Sequence, residues 1–80
     1  MVSFNRVEKM TYTLSAIIEH EGNWYVANCP ELDIASQGKT VEEAQKNLHE
    51  AVQLFLESAD PNEIPSLTEP PYLTTFKVAV

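Results

Sequence analysis

The stretch that begins at residue 41 constrains the fold of this chain more than any other. Its apolar residues recur at spacings of three and four, which places them on one stripe of an α-helix. They are Val41, Ala44, Leu48, Ala51, Val52, Phe55 and Ala59. Thr40 and Glu43 form the Thr-x-x-Glu pattern of a capping box, which predicts the start of a helix running to about Ser58. A helix of this length spans ~27 Å and covers one face of one sheet.

The residues before this helix predict three strands. Apolar and polar side chains alternate over residues 11–18, which indicates a first strand. A polar loop of about five residues, 19–23, precedes the aromatic and β-branched run 24–27, so a β-hairpin is expected. Pro30 cannot donate a ladder hydrogen bond and ends the second strand near Asn28. A third strand, residues 34–37, follows a bend.

The residues after the helix predict a tether and a fourth strand. Residues 60–72 contain four prolines and suit neither regular structure. Phe76, Val78 and Val80 then alternate with other residues, as in a strand. An antiparallel meander followed by a long helix returns the chain to the start of the first strand, so the fourth strand is predicted to lie parallel to the first, in the order 3-2-1-4.

The expected fold class is therefore α+β, with the element order ββ-β-α-β and one long helix on one face of the sheet. Residues 1–9 show no clear alternation and are interpreted as an N-terminal arm. Residues 10–80 are expected to form a single domain. A domain of this size buries only ~60% of the surface of its unfolded chain, so we expect a homo-oligomer, a dimer or a tetramer.

The charge of the chain bears on its partners. Twelve acidic and five basic residues give a formal net charge of −7. The five cations are dispersed along the sequence, so direct binding of nucleic acid is disfavoured. A basic protein partner would be attracted instead.

Chemistry-bearing residues are few. Cys29 is the single cysteine, and His20 and His49 are far apart in sequence, so neither a disulfide nor a metal site is expected, and no cofactor is predicted. We expect no catalytic residues. No apolar run approaches the ~20 residues of a membrane span, so no membrane association is expected and the predicted location is cytoplasmic.

Three successive motifs resemble the N-terminal domain of HicB-family antitoxins. They are the hairpin end Gly22-Asn23-Trp24-Tyr25-Val26-Ala27, the turn Cys29-Pro30-Glu31-Leu32, and the helix entry Gly38-Lys39-Thr40-Val41-Glu42-Glu43-Ala44. The resemblance covers residues 12–80, so the domain of residues 10–80 is expected to be HicB-like, without the C-terminal DNA-binding domain that many members carry.

The resemblance implies a partial ribonuclease-H-like fold and an antitoxin that occludes the RNA-cleaving surface of a small, basic HicA-type toxin. Two alternatives stay open. One is a homo-oligomeric interaction or structural module without a toxin. The other is a metal-dependent nuclease, which is disfavoured because residues 14–17, at the centre of the first strand, contain no carboxylate for a metal ion.

Candidate partner-binding residues lie in the hairpin and in the bend after Pro30. Glu19, Glu21, Glu31 and Asp33 carry charge without an evident capping role, although a solvated rim would look the same. Tyr25 and Ile17 are expected to face away from the helix, where an aromatic anchor suits an interface. The predicted partner-binding set is thus Glu19, Glu21, Tyr25, Glu31 and Asp33.

Overall fold

The structure, a computed structural model, describes residues 11–65, 67 and 72–80. The predicted N-terminal arm, residues 1–9, lies outside the described residues. In the described part the elements are β1 (Ile17–Glu21), β2 (Trp24–Cys29), β3 (Ile34–Gly38), α1 (Val41–Ser58) and a 3-10 turn (Pro61–Glu63). The architecture is α+β, with three antiparallel strands in an open sheet and one long helix.

The sheet has the order β1-β2-β3 and contains a tight hairpin. β1 and β2 are antiparallel, with Glu21 opposite Trp24. β2 and β3 are antiparallel, with Cys29 opposite Ile34. Two residues join β1 to β2, and the first of them, Gly22, has a φ of 60°, which glycine adopts at no steric cost. The predicted five-residue loop is therefore wrong, because its first three residues belong to β1.

The first strand begins later than the alternation predicted. Ile17 pairs with Asn28, and one residue further on β2 ends at Cys29. Pro30 follows and cannot donate to a ladder, so residues 11–16 find no partner on β2. The predicted strand is therefore shortened at its start, because β2 offers these residues no pairing partner.

The helix begins and ends where the sequence predicted. Thr40 accepts a hydrogen bond from the Glu43 backbone N–H at 3.0 Å, and the Glu43 carboxylate accepts one from the Lys39 N–H. This is a capping box displaced by one residue at its second bond. Just before it, Gly38 lies so close to α1 that a Cβ there would come within 2.5 Å of the Ala44 nitrogen. The turn into the helix thus requires glycine.

The core lies between α1 and the inner face of the sheet. Its buried residues are Ala27, Cys29, Ala44 and Leu48. Around them pack the partly buried side chains of Leu14, Ile18, Tyr25, Leu32, Ile34 and Val52. The helix packs most extensively on β3, less on β2 and least on β1. The space between α1 and β1 is consequently left more open than the other side of the sheet.

The predicted fourth strand is not seen in the described residues. Residues 72–80 have no strand assignment, and all nine are exposed. The order 3-2-1-4 and the ribonuclease-H-like fold that depends on it are therefore not shown by this structure, whereas the three-stranded meander and its helix are.

Candidate protein-binding surface

One face of the sheet carries no helix. Because side chains alternate across a strand and paired residues share a face, the register assigns this open sheet face. Opposite Ala27 and its buried neighbours, it consists of Ile17, Glu19, Glu21, Trp24, Val26, Asn28, Ala35 and Gln37. Within the described residues, no element lies on it.

The middle of the open sheet face is apolar. Ile17 is 42% exposed and Trp24 is 40% exposed, while Val26 between them in the sheet is partly buried. The Lys39 ammonium lies 5.7 Å from the Trp24 ring centroid, within range of a cation–π interaction. Tryptophan held in this way is a large, preoriented apolar group facing solvent, as in the anchors of protein interfaces.

Two of the predicted residues border this apolar strip. Glu19 lies opposite Val26, and Glu21 lies opposite Trp24. Both side chains are exposed, and in the part of the chain that the structure describes neither has an ion-pair partner. The open sheet face therefore presents negative charge directly beside apolar surface.

Tyr25 lies on the other face, which corrects the expected orientation. It is partly buried against the core, and its ring stacks on His20 with centroids 4.4 Å apart and planes 10° from parallel. Ile17 does face away from the helix, as predicted. Trp24 is the aromatic residue that faces away from the helix, in place of the predicted Tyr25.

The sequence of β2 could have shown which of its aromatic residues faces away from the helix. The small residues Ala27 and Cys29 fit under a close helix, whereas the polar Asn28 between them belongs outside. Counting back by twos from Asn28 gives Val26 and then Trp24 on the outer face. Aromatic character alone did not reveal this, because both Trp24 and Tyr25 are aromatic.

Glu31 has a structural role that the sequence did not reveal. Its carboxylate accepts hydrogen bonds from the Ser15 N–H at 3.0 Å, the Ser15 hydroxyl at 2.7 Å and the Cys29 thiol at 3.4 Å. Burial raises the pKa of Glu31, but the hydrogen bonds from Ser15, from the Glu31 backbone and from Cys29 together outweigh burial and leave the pKa below its usual value. Ser15 itself is only 8% exposed, so it does not follow the outward alternation predicted for it.

Cys29 is not an activated nucleophile. It is 1% exposed, and burial, together with the nearby charge and hydrogen bond of Glu31, raises the pKa of its thiol. A raised pKa keeps the thiol protonated, whereas nucleophilic chemistry needs the thiolate. The Ser15, Cys29 and Glu31 cluster is therefore best understood as a connection between the segment before β1 and the turn after β2.

Asp33, the last predicted residue, is exposed in the turn between β2 and β3 and has a φ of 56°. Aspartate tolerates this left-handed conformation better than most residues, which gives Asp33 a role in the turn. Asp33 and Glu31 thus belong to the β2–β3 turn, whereas Glu19 and Glu21 belong to the open sheet face.

Within residues 11–65, 67 and 72–80, no group of three or more His, Cys, Asp or Glu side chains is arranged to hold a metal ion. None of the helices described there has the length and apolarity to cross a membrane.

The chain is similar to a protein of a named family. The chain is 39% identical over 57 residues to a UPF0150 protein of Helicobacter pylori (strain J99 / ATCC 700824), and the match covers 70% of this chain and 79% of that protein. No family model matches the chain, and no solved structure does. The extent and identity of the match show that this chain belongs to the UPF0150 family.

Proposed function

We propose that this protein is an antitoxin-like binding protein that neutralises a small, basic, RNA-cleaving toxin of the HicA type by covering its surface. The observation that carries the proposal is the open sheet face, where Ile17, Trp24 and Val26 form an apolar strip beside the free carboxylates of Glu19 and Glu21. Membership of the UPF0150 family and the HicB-like motifs support the same assignment.

The two kinds of group on this face have different tasks. The apolar strip supplies the area that is removed from water when the partner binds, and Trp24 is its anchor. Glu19 and Glu21, within a chain of net charge −7, attract a basic partner and orient it before contact. An RNA-cleaving protein needs basic groups to hold phosphates, so its substrate-binding surface is complementary to this one.

We propose that the protein acts by binding alone. Ser15 and Cys29, which lie beside the Glu31 carboxylate, both donate hydrogen bonds to it, and burial raises the pKa of the Cys29 thiol. These contacts join the segment before β1 to the end of β2 and its turn, and they do not activate an attacking group. The partial ribonuclease-H-like fold belongs to the same proposal: residues 73–80 supply the fourth strand of a sheet, parallel to β1 of the copy on which they lie.

The test is co-expression with the protein encoded by the adjacent gene. We expect a stable complex with a small, basic protein whose RNA cleavage stops when the complex forms. Trp24→Ala should weaken the complex at least tenfold in calorimetry and restore cleavage. Leu54→Ala removes an apolar side chain that is 66% exposed on α1, away from the open sheet face, and should leave binding unchanged.

Two results would reject the proposal. If the neighbouring product neither binds nor cleaves RNA, the chain is better described as an interaction module without a toxin. If the purified chain itself cleaves RNA with Mg²⁺, the binding-only assignment is wrong and the nuclease alternative replaces it.

A further inference from the structure

An apolar groove of about 750 Å³ lies between α1 and the segment before β1. Its walls include Leu14 and Ala16 on one side and Leu48, Val52 and Leu56 on the other. It lies on the side of the sheet where the helix packs least, next to β1. The core of the described residues therefore continues into an unfilled space.

The end of the chain carries apolar side chains with no place in that core. Phe76 is 83% exposed, Val78 is 68% exposed and Val80 is fully exposed. They alternate with Thr75, Lys77 and Ala79, which is the pattern of a strand with one apolar face. Residues 72–80 make one described hydrogen bond, from the Thr74 hydroxyl to the Thr75 carbonyl, and it lies within the segment.

The edge of β1 is where such a strand fits. β1 has β2 on one side, and in the described part of the chain no strand pairs with its other side. A strand added there with Phe76 and Val78 towards α1 would place both side chains over the groove. Alternation would then place Lys77 on the open sheet face, where β1 displays Glu19 and Glu21. Shape and charge therefore agree on the same placement.

We propose that residues 72–80 of one copy of this chain add as a strand to the β1 edge of a second copy, reciprocally, with Phe76 and Val78 in the groove. This is strand exchange by β-augmentation, in which backbone hydrogen bonds and alternate side chains both contribute. The occupant is this chain's own terminal segment, which is apolar and exposed here and has the complementary charge.

The position of the segment in the single copy points to a second copy as the acceptor, because residues 72–80 are exposed and do not pair with β1 of their own chain. Residues 59–71, which join the segment to α1, contain Pro61, Pro65, Pro70 and Pro71, and proline favours extended linkers. A fully extended stretch of this length would reach roughly 45 Å, and even with the 3-10 turn at Pro61–Glu63 its reach exceeds the ~27 Å length of α1. The terminal strand can therefore reach a neighbouring copy.

The first test is the mass of the full chain in solution by sedimentation and light scattering. We expect twice the monomer mass of 9.0 kDa. Phe76→Asp with Val78→Asp should give the monomer, with helix content unchanged because both side chains are exposed in the single copy. Thr75→Lys with Ala79→Lys adds two charges to the other face of the segment, where they meet Glu19 and Glu21 rather than the groove, and should leave the dimer intact. A monomeric wild type, or a dimer that survives Phe76→Asp with Val78→Asp, would overturn the proposal.

The second test separates exchange from closure within one chain. One preparation carries Ala16→Cys and another carries Thr75→Cys, and the two are mixed, equilibrated and treated with a short bismaleimide. Exchange predicts a covalent heterodimer linking the two preparations. The wild type is the control, because its Cys29 is buried and should not react. If a chain with both substitutions links only within itself and the mixture gives no heterodimer, the strand closes on its own copy and the proposal is wrong.

Discussion

Ser15 donates two hydrogen bonds to the carboxylate of Glu31, from its backbone N–H to Oε1 at 3.0 Å and from its hydroxyl to Oε2 at 2.7 Å. The two residues are sixteen positions apart, and the contact fixes the segment before β1 against the turn after β2. It replaces the strand pairing that residues 11–16 lose where β2 ends. Glu31, which was predicted to bind a partner because of its charge, therefore connects two segments at the end of the sheet.

Replacing Glu31 tests this role. Glu31→Gln keeps the shape but removes the charge and one acceptor, so we expect the free energy of unfolding to fall by about 1.5 kcal/mol, the lower end for hydrogen bonds to charged groups, because Glu31 is only partly buried. Urea denaturation measures it. Asp33→Asn is the matched control, since asparagine accepts the positive φ of that position and should change stability little. Equal losses in both variants would contradict a specific role for Glu31.

The same carboxylate predicts an acid-sensitive component of stability. The pKa of Glu31 is lower in the folded protein than in the unfolded chain, so the ionised group stabilises the fold above the unfolded-state pKa, and this contribution is lost as the pH falls through the folded-state pKa. Stability should thus decrease below about pH 5. Urea midpoints over this range should fall less steeply for Glu31→Gln than for the wild type. Parallel curves would show that other groups account for the acid sensitivity.

The two described glycines should respond differently to a methyl group. Gly38→Ala places a Cβ within 2.5 Å of the Ala44 backbone nitrogen, so β3 and α1 must separate, at a cost of about 1–3 kcal/mol. Gly22 has open space around it and needs only its positive φ, which asparagine tolerates. Thermal denaturation should rank Gly38→Ala well below Gly22→Asn. The reverse order would show that the close approach at Gly38 relaxes without cost.

The acidic border of the open sheet face should govern how fast a partner arrives. Glu19→Gln with Glu21→Gln removes two exposed charges that steer a basic protein, so the association rate with the toxin should drop severalfold while the dissociation rate changes little. Stopped-flow measurements at several salt concentrations will show this, and the salt dependence should weaken too. Glu57→Gln with Glu50→Gln on α1 serves as the charge-matched control. A change confined to dissociation would argue against steering.

Elements whose determinants lie within one short segment were predicted correctly from the sequence. The helix Val41–Ser58 was predicted correctly because its cap, Thr40 with Glu43, and its apolar stripe are complete within one segment. The end of β2 was also predicted within one residue, since Pro30 removes a donor wherever it occurs. Glu19 and Glu21 were predicted in the hairpin loop, but they lie in β1, and their role in partner binding stays a prediction.

Tertiary structure decided the features that depend on which segments meet. The length of β2, not the alternation in residues 11–18, set the start of β1 at Ile17. Ala27 and Cys29 pack against the helix, so alternation along β2 places Tyr25 on the same face and Trp24 on the opposite one. Glu31 acquired its hydrogen bonds only when Ser15 came beside it. Helical periodicity and capping depend on neighbouring residues, so the sequence alone determines them. Which face of a strand is buried and which group a carboxylate contacts depend on segments that are distant in sequence, so only the tertiary structure determines them.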